Sequence, residues 1–254
     1  SPGPSGWRRR GCTVPIRLRG GQGSTPKSVS SRSRERGHIQ HITQVGTGNY
    51  NEKTAKLYTD LSLMTANPAI GADAAAFFQN MSTANLEGEY RHLRWPHGLK
   101  DRLISLIDGE TAKARSGRAA RIFLKCNSVT DRELIDKLAE ASQAGVDIRM
   151  NVRGICCLRP GVPGLTDRIR VFSIVGRYLE HARIFAFGAG QDQRVYIGSA
   201  DLMTRNTERR VEIACPILDE GIRRQIAHYV DILCRDTEKG PLPGRAGPLS
   251  PRPR

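Results

Sequence analysis

No stretch of this chain approaches about 18 consecutive apolar residues, so it offers no candidate for a membrane-spanning helix. Glycine shows no three-residue period, which excludes a collagen-like rod. The six cysteines form no Cys-x-x-Cys pair and no Cys/His zinc spacing. Cys156 and Cys157 are adjacent, an awkward arrangement for two independent disulfides. A reducing, cytosolic compartment is therefore expected. The initiator methionine is also missing. The chain begins at Ser1, which reads as a fragment or as a frame whose first segment is foreign to the domain behind it. Acidic residues are scarce, with 25 Asp and Glu against 40 Lys and Arg and a net charge of +15.

That charge is unevenly placed. Residues 1–37 carry nine Lys or Arg and one acid, Glu35. Residues 238–254 carry four and Glu238, which leaves +4 for the 200 residues between. Both tails are rich in Gly, Pro, Ser and Arg and show no helical or strand period, so both are expected to be disordered. A basic tail is usually a solvated, unspecific polyanion binder. The Arg- and Ser-rich start also fits a transit peptide. The length of 254 residues allows one or two domains, and 38% hydrophobic residues suffice for a core.

The middle is patterned. Residues 57–63 alternate, Leu57, Leu61 and Leu63 against Tyr58, Asp60 and Ser62, which predicts a half-buried strand. Residues 70–82 read as a short helix, and Gly88 to Trp95 as a junction. Leu99, Leu103, Leu106 and Ile107 make the apolar stripe of a helix ending near Gly117. Ile122 to Leu124 read as a buried strand. Thr130 to Glu133 read as a capping box, opening a helix that buries Leu134, Leu138 and Ala141 and stops at Gly145. Val146 to Arg153 alternate as a second strand. Strand, helix, strand is the signature of a parallel pair with a crossover. Further strands are expected near 170–175, 183–187, 194–199 and 210–216, with a closing helix over 219–235. The fold class is α/β.

Ligands of such sheets bind beyond the carboxyl ends of the strands. Arg153 closes one strand there. His181 and Arg183 enter another, and Gly198-Ser199-Ala200-Asp201 closes a third, followed by Arg205, Arg209 and Arg210. Small residues let backbone N–H groups approach phosphate, and arginine forks bind its oxygens in pairs. Arginines beside His181 disfavour its cationic form; the neutral ring could attack phosphorus and the protonated ring could stabilise a phosphate. Lone histidines are more often surface or core residues than catalysts, and His92, His97 and His228 are read so. Gly46-Thr47-Gly48-Asn49 is a weak echo of the 198–201 loop. Paired loops of this kind mark duplicated folds of the phospholipase D type.

At Val45 to Asp60, Asn151 to Pro160, Ser173 to His181 and Gly198 to Asn206 the sequence resembles the polyphosphate kinase family. The likeness runs from about 44 to 236. It implies a phospholipase D-like α/β domain at 91–237, preceded at 38–90 by the remnant of a second, similar domain, with 1–37 and 238–254 outside the likeness. It implies reversible transfer of the ATP γ-phosphate to inorganic polyphosphate through a phosphohistidine, with Mg²⁺ accompanying ATP. It places Tyr58, Arg153 and His181 in the nucleotide site, His181 as the catalytic residue and Arg210 on the phosphates; no protein metal ligands are assigned. It further implies a cytoplasmic protein, peripheral to the membrane at most, homo-oligomeric when intact, and without a specific nucleic-acid partner. His181 is followed by Arg183 rather than Lys, with Gly at 188, which favours a kinase over a phosphodiesterase.

The family's nucleophilic histidine lies in a Lys-Ile-His-x-Lys stretch before the Gly-Thr-Gly-Asn loop. By analogy with His181 and Gly198 it belongs about 17–20 residues before Gly46, where Pro26, Lys27, Ser28 and Val29 stand. His38 and His41 are too close to Gly46 to take its place. The chain is therefore expected to be truncated and to lack the nucleophile. The alternatives are a catalytically inactive binder of nucleotide or polyphosphate, and a phospholipase D-type phosphodiesterase.

Overall fold

The computed structural model describes residues 12–13, 28–35, 38–83, 90, 96–206, 212–236, 241–242 and 250–251. The chain opens with strands β1 (Cys12–Thr13), β2 (Ser28–Glu35) and β3 (His38–Gly46). A short helix α1 (Glu52–Ala55) follows, then strands β4 (Tyr58–Thr59) and β5 (Ser62–Thr65) and helix α2 (Pro68–Ser82). Helix α3 (Pro96–Arg115) leads to β6 (Arg121–Cys126), α4 (Arg132–Gln143), β7 (Asp147–Val152) and β8 (Ile169–Phe172). Then come β9 (Leu179–Glu180), β10 (Arg183–Phe187), β11 (Arg194–Gly198), β12 (Ala214–Pro216) and α5 (Glu220–Arg235). The tail carries β13 (Pro241–Leu242) and β14 (Ser250–Pro251).

The central sheet has six strands in the order β12-β11-β10-β6-β7-β8. β6, β7 and β8 are parallel, as the crossover pattern predicts. β10 and β11 run antiparallel to their neighbours, so the sheet is mixed. A second sheet has the order β1-β2-β3-β5.

Both faces of the central sheet are covered, because its strands alternate between two apolar cores. Ile122, Leu124, Met150, Phe185 and Phe187 face α3 and α4, which contribute Leu99, Leu103, Leu106, Leu134 and Leu138. Phe123, Ile184, Ala186, Val195 and Ile197 face the other way. There they meet Ile226 and Leu233 of α5 and Val45, Leu63, Ile70 and Phe77 of the first unit. The first unit is thus packed onto the second through a shared core. Gly145, at φ +105°, ends α4 in a conformation that a side chain would strain.

Several expectations are corrected. Residues 57–63 do not form one strand. Tyr58 and Thr59 pair with Leu179 and Glu180, whereas Leu63 pairs with Val45. The break falls at Leu61, whose N–H is taken by the Thr47 hydroxyl at 2.9 Å. Leu57 is 59% exposed and Leu63 8%. The N-cap of α4 is Asp131 rather than Thr130, its carboxylate accepting from Leu134 N at 3.2 Å. Within 1–37, residues 28–35 are a strand rather than disordered, because every one of them pairs with β3, from Ser28 with Val45 to Glu35 with His38. Residues 12–13 pair with that strand, and 241–242 pair with 250–251 in the other basic tail. The expected junction at 88–95, apart from position 90, lies outside the described residues, as do Arg209, Arg210 and the start of the strand expected at 210.

Candidate active site

The site forms where the carboxyl ends of β6, β7 and β11 meet the start of β10. Two-residue strands β4 and β9 tie the halves of the chain together there. Leu179 N donates to Leu57 O at 2.9 Å, and His181 N and Ala182 N both donate to Thr59 O at 3.1 Å. This parallel bridge sets Tyr58 and His181 side by side, with ring centroids 5.0 Å apart.

His181 is 6% exposed. Its Nδ1 lies 2.8 Å from Asp60 Oδ1, and the same oxygen accepts from the Thr47 hydroxyl at 2.6 Å. Arg183 Nη1 donates to the His181 carbonyl at 2.7 Å and sits 3.1 and 2.9 Å from the two ring nitrogens. Near-equal distances set the guanidinium against the ring rather than in line with either nitrogen. Arg183 also reaches Asp201, Nε to Oδ1 and Nη2 to Oδ2, both at 3.3 Å. Burial pushes the Asp60 carboxyl up. The hydrogen bonds from His181 and Thr47, with the charges of His181 and Arg183, outweigh that and hold it below its ordinary value.

Asn127, just past β6, joins this cluster to Arg153. Its backbone N–H donates to Asp201 Oδ1 at 2.7 Å, and its side-chain oxygen accepts from Arg153 Nε at 2.6 Å. Gly154 makes that fit possible, because a Cβ there would lie 2.8 Å from Asn127 O. Burial draws the Arg153 guanidinium below its ordinary value, and Arg183 adds to this.

Behind the site, Lys125 is 1% exposed. Its ammonium contacts Glu180 and the Ala182 carbonyl, both at 3.2 Å. Glu180 also accepts from the Tyr229 hydroxyl at 2.8 Å. Burial lowers the Lys125 ammonium, and it raises the Tyr229 hydroxyl, as does Glu180.

The two loops that echo each other in sequence have the same local bonding. Thr47 N donates to Leu61 O, and Leu61 N donates to the Thr47 hydroxyl. Ser199 N donates to Ile213 O, and Ile213 N donates to the Ser199 hydroxyl. Each hydroxyl then bonds a carboxylate 13 residues on, Thr47 to Asp60 and Ser199 to Glu212.

The structure thus brings Tyr58, His181 and Arg153 to one place, the last through Asn127, Asp201 and Arg183. Arg210 lies outside the described residues. The Arg177 guanidinium, close to His181 in sequence, sits 5.5 Å from the Tyr178 ring centroid. Sequence reasoning missed Asp60, Asn127 and the Lys125–Glu180–Tyr229 group. The repeated 13-residue interval from hydroxyl to carboxylate was a legible signal for Asp60. The carboxyl end of a buried strand was the signal for Asn127. His41 lies in β3, where its Cβ packs against Gly71 of α2.

The family described as Polyphosphate kinase C-terminal domain 2 matches residues 93–242. This chain belongs to the polyphosphate kinase family. The family's C-terminal domain 1 matches residues 9–87, so the likeness reaches into 1–37 and does not begin near 44 as expected. Polyphosphate kinase from Thermosynechococcus vestitus is 47% identical over 214 residues, 84% of this chain and 29% of that protein. That from Rhodopirellula baltica is 42% identical over 229 residues, 90% of this chain and 27% of its own length. The crystal structure of polyphosphate kinase from Porphyromonas gingivalis superposes with a TM-score of 0.78 at 36% identity, covering 87% of this chain and 35% of that one. The chain therefore spans less than a third of these curated relatives. Among the described residues no helix is long and apolar enough to cross a membrane.

The family's chemistry implies Mg²⁺ with ATP. Among the described residues no group of three or more His, Cys, Asp or Glu could hold a metal. Asp60 and Asp201 are already engaged by His181 and Arg183. The described donor set does not fit a protein-held Mg²⁺ cage.

Proposed function

We propose that this chain supplies one side of a site that reversibly transfers the ATP γ-phosphate to inorganic polyphosphate through a phosphohistidine. Arg153 and Tyr58 line the nucleotide pocket, with Arg210 on the phosphates. His181 faces the reacting phosphate through Nε2, the nitrogen opposite its bond to Asp60. It acts there as acid or phosphate stabiliser. Asp60 fixes the ring's orientation and supports its protonated form. Arg183, held by Asp201, adds positive charge beside it. Glu212, bonded to Ser199 as Asp60 is to Thr47, is the matching carboxylate for the nucleophilic histidine of the opposing half. Mg²⁺ enters this reading as the counter-ion of ATP. In the same reading 38–90 and 91–237 are the two related domains.

The observation that carries this reading is the chain Asp60–His181–Arg183–Asp201, assembled from both halves around one buried imidazole. A second reading, binding without catalysis, is favoured by the absence of histidine at 26–29. One experiment separates them. The protein is incubated with γ-labelled ATP and Mg²⁺ and examined for acid-labile, base-stable label. Label on the parent that survives in His38→Ala and His41→Ala but not in His181→Ala would move the nucleophile to His181. Unlabelled protein that still binds ATP, and loses it in Arg153→Gln, supports the binding reading. A protein that binds neither ATP nor polyphosphate sinks both.

A further inference from the structure

At the end of the central sheet opposite His181 lies a cleft of about 700 Å³. β6 has six residues, so about 17 Å of strand separates the two ends. Arg121 at the start of β6, Arg149 in β7, and Arg223 and Arg224 on α5 all line the cleft. The carboxylates lining it are Glu220 and Asp231.

These cations are incompletely matched. Arg224 pairs with Glu220 at 2.8 Å. Arg121 and Arg149 share one oxygen of Asp147, at 3.6 and 3.5 Å. Arg223 makes a long hydrogen bond of 3.4 Å to the Gln193 carbonyl. The Nε atoms of Arg149 and Arg223 are buried and make no hydrogen bond; Arg149 Nε has its 3.5 Å ion pair with Asp147, and Arg149 also interacts with the Cys234 thiol, so Arg223 Nε is the one of the two left without a carboxylate. A buried donor on a cation is costly to leave unpaired. Guanidinium groups brought from three elements repel one another unless an anion lies between them. Their planar forks suit phosphate oxygens. Of the residues lining the cleft the aromatic one is Phe123, which is buried in the core, so the cleft offers no exposed ring on which a base could stack.

We propose that this cleft is a second anion site that holds a segment of inorganic polyphosphate outside the reacting site. The choice of polyphosphate rests on the function proposed above; the anion site itself rests on the four arginines. A chain held at both ends of the sheet gains effective concentration at His181 without any new contact there.

The test is titration calorimetry of sodium polyphosphate and, separately, of ATP, at several salt concentrations. It compares the parent chain with Arg149→Gln/Arg223→Gln and Arg149→Lys/Arg223→Lys. In the glutamine variant, polyphosphate affinity is expected to fall about tenfold or more, and its log–log salt slope to flatten by about 1 per arginine removed. ATP affinity is expected to stay at the parent's value. The lysine variant keeps the salt slope. Equal polyphosphate affinity and slope in parent and glutamine variant overturns the cleft and leaves the proposed function standing. Parent protein that binds ATP but no polyphosphate also overturns it. Loss of polyphosphate binding only in Arg153→Gln assigns all of it to the reacting site and overturns the cleft. Circular dichroism confirms folding, and Arg223→Gln alone carries the same comparison if the double variant does not fold.

Discussion

Asp60 and His181 are 121 residues apart in sequence and 2.8 Å apart in space. One comes from the first unit and one from the second, and the shared core beneath them holds the pair together. The site is therefore a property of the interface between the two units.

The pair has a pH signature. Burial raises the Asp60 carboxyl, but the hydrogen bonds and positive charges around it leave it below 3.8. The folded value lies under the unfolded one, so this contribution is complete above about pH 4 and is lost as pH falls through the folded value. Urea midpoints of the parent should fall more steeply from about pH 5 to about pH 3 than those of Asp60→Asn. Parallel curves would sink the prediction.

Arg153→Gln should weaken ATP binding by about tenfold or more, as expected for losing a charge-assisted bond worth about 1.5–3 kcal/mol. Calorimetry checks it. The thermal midpoint should change little, because the Arg153 side chain is partly exposed and its partner Asn127 keeps its bonds to Asp201.

Gly154→Ala should destabilise the fold by about 1–3 kcal/mol, since the new methyl group meets backbone and the chain must shift. The clash is with Asn127, which holds both Arg153 and Asp201, so ATP affinity should fall with it. Chemical denaturation and calorimetry on one sample test the coupling.

Glu212→Ala should cost about 1–3 kcal/mol, because Ser199 and Asn206 lose a buried acceptor. Glu212→Gln, which keeps an oxygen for one of them, should cost less. Equal unfolding midpoints for the two variants would count against this account of the loop.

Tyr229→Phe removes one donor from Glu180 and leaves Lys125 as its partner. A loss of about 0.5–1.5 kcal/mol is expected from denaturant midpoints. β9 is only two residues long and carries Glu180, so hydrogen exchange at Leu179 and His181 should quicken as well.

Much of the second unit was legible because its signals are local. The stripe Leu99, Leu103, Leu106 and Ile107 is buried as its spacing requires. β6, α4 and β7 form the parallel crossover that the alternation predicts. The first unit was less legible. Leu57, Leu61 and Leu63 alternate as a strand would, but a side-chain hydroxyl 14 residues away breaks the segment at Leu61. β2 was unreadable because Ser28 to Glu35 carries a single apolar residue, Val29, and so no apolar alternation; its neighbour β3 supplies the pairing. Local period cannot report a strand that a partner strand recruits.

By itself the sequence determined the α/β class, the apolar faces of its helices, the family likeness and the candidacy of Tyr58, Arg153 and His181. Those rest on side-chain order along the chain, and that order survives in any conformation. Only the tertiary structure decided that Asp60 grips His181, that Asn127 links Arg153 to Asp201, and that four arginines converge at the far end of the sheet. Each of these depends on loops closing between elements distant in the chain. Closure is set by strand pairing and by packing on the shared core, and no local pattern encodes it.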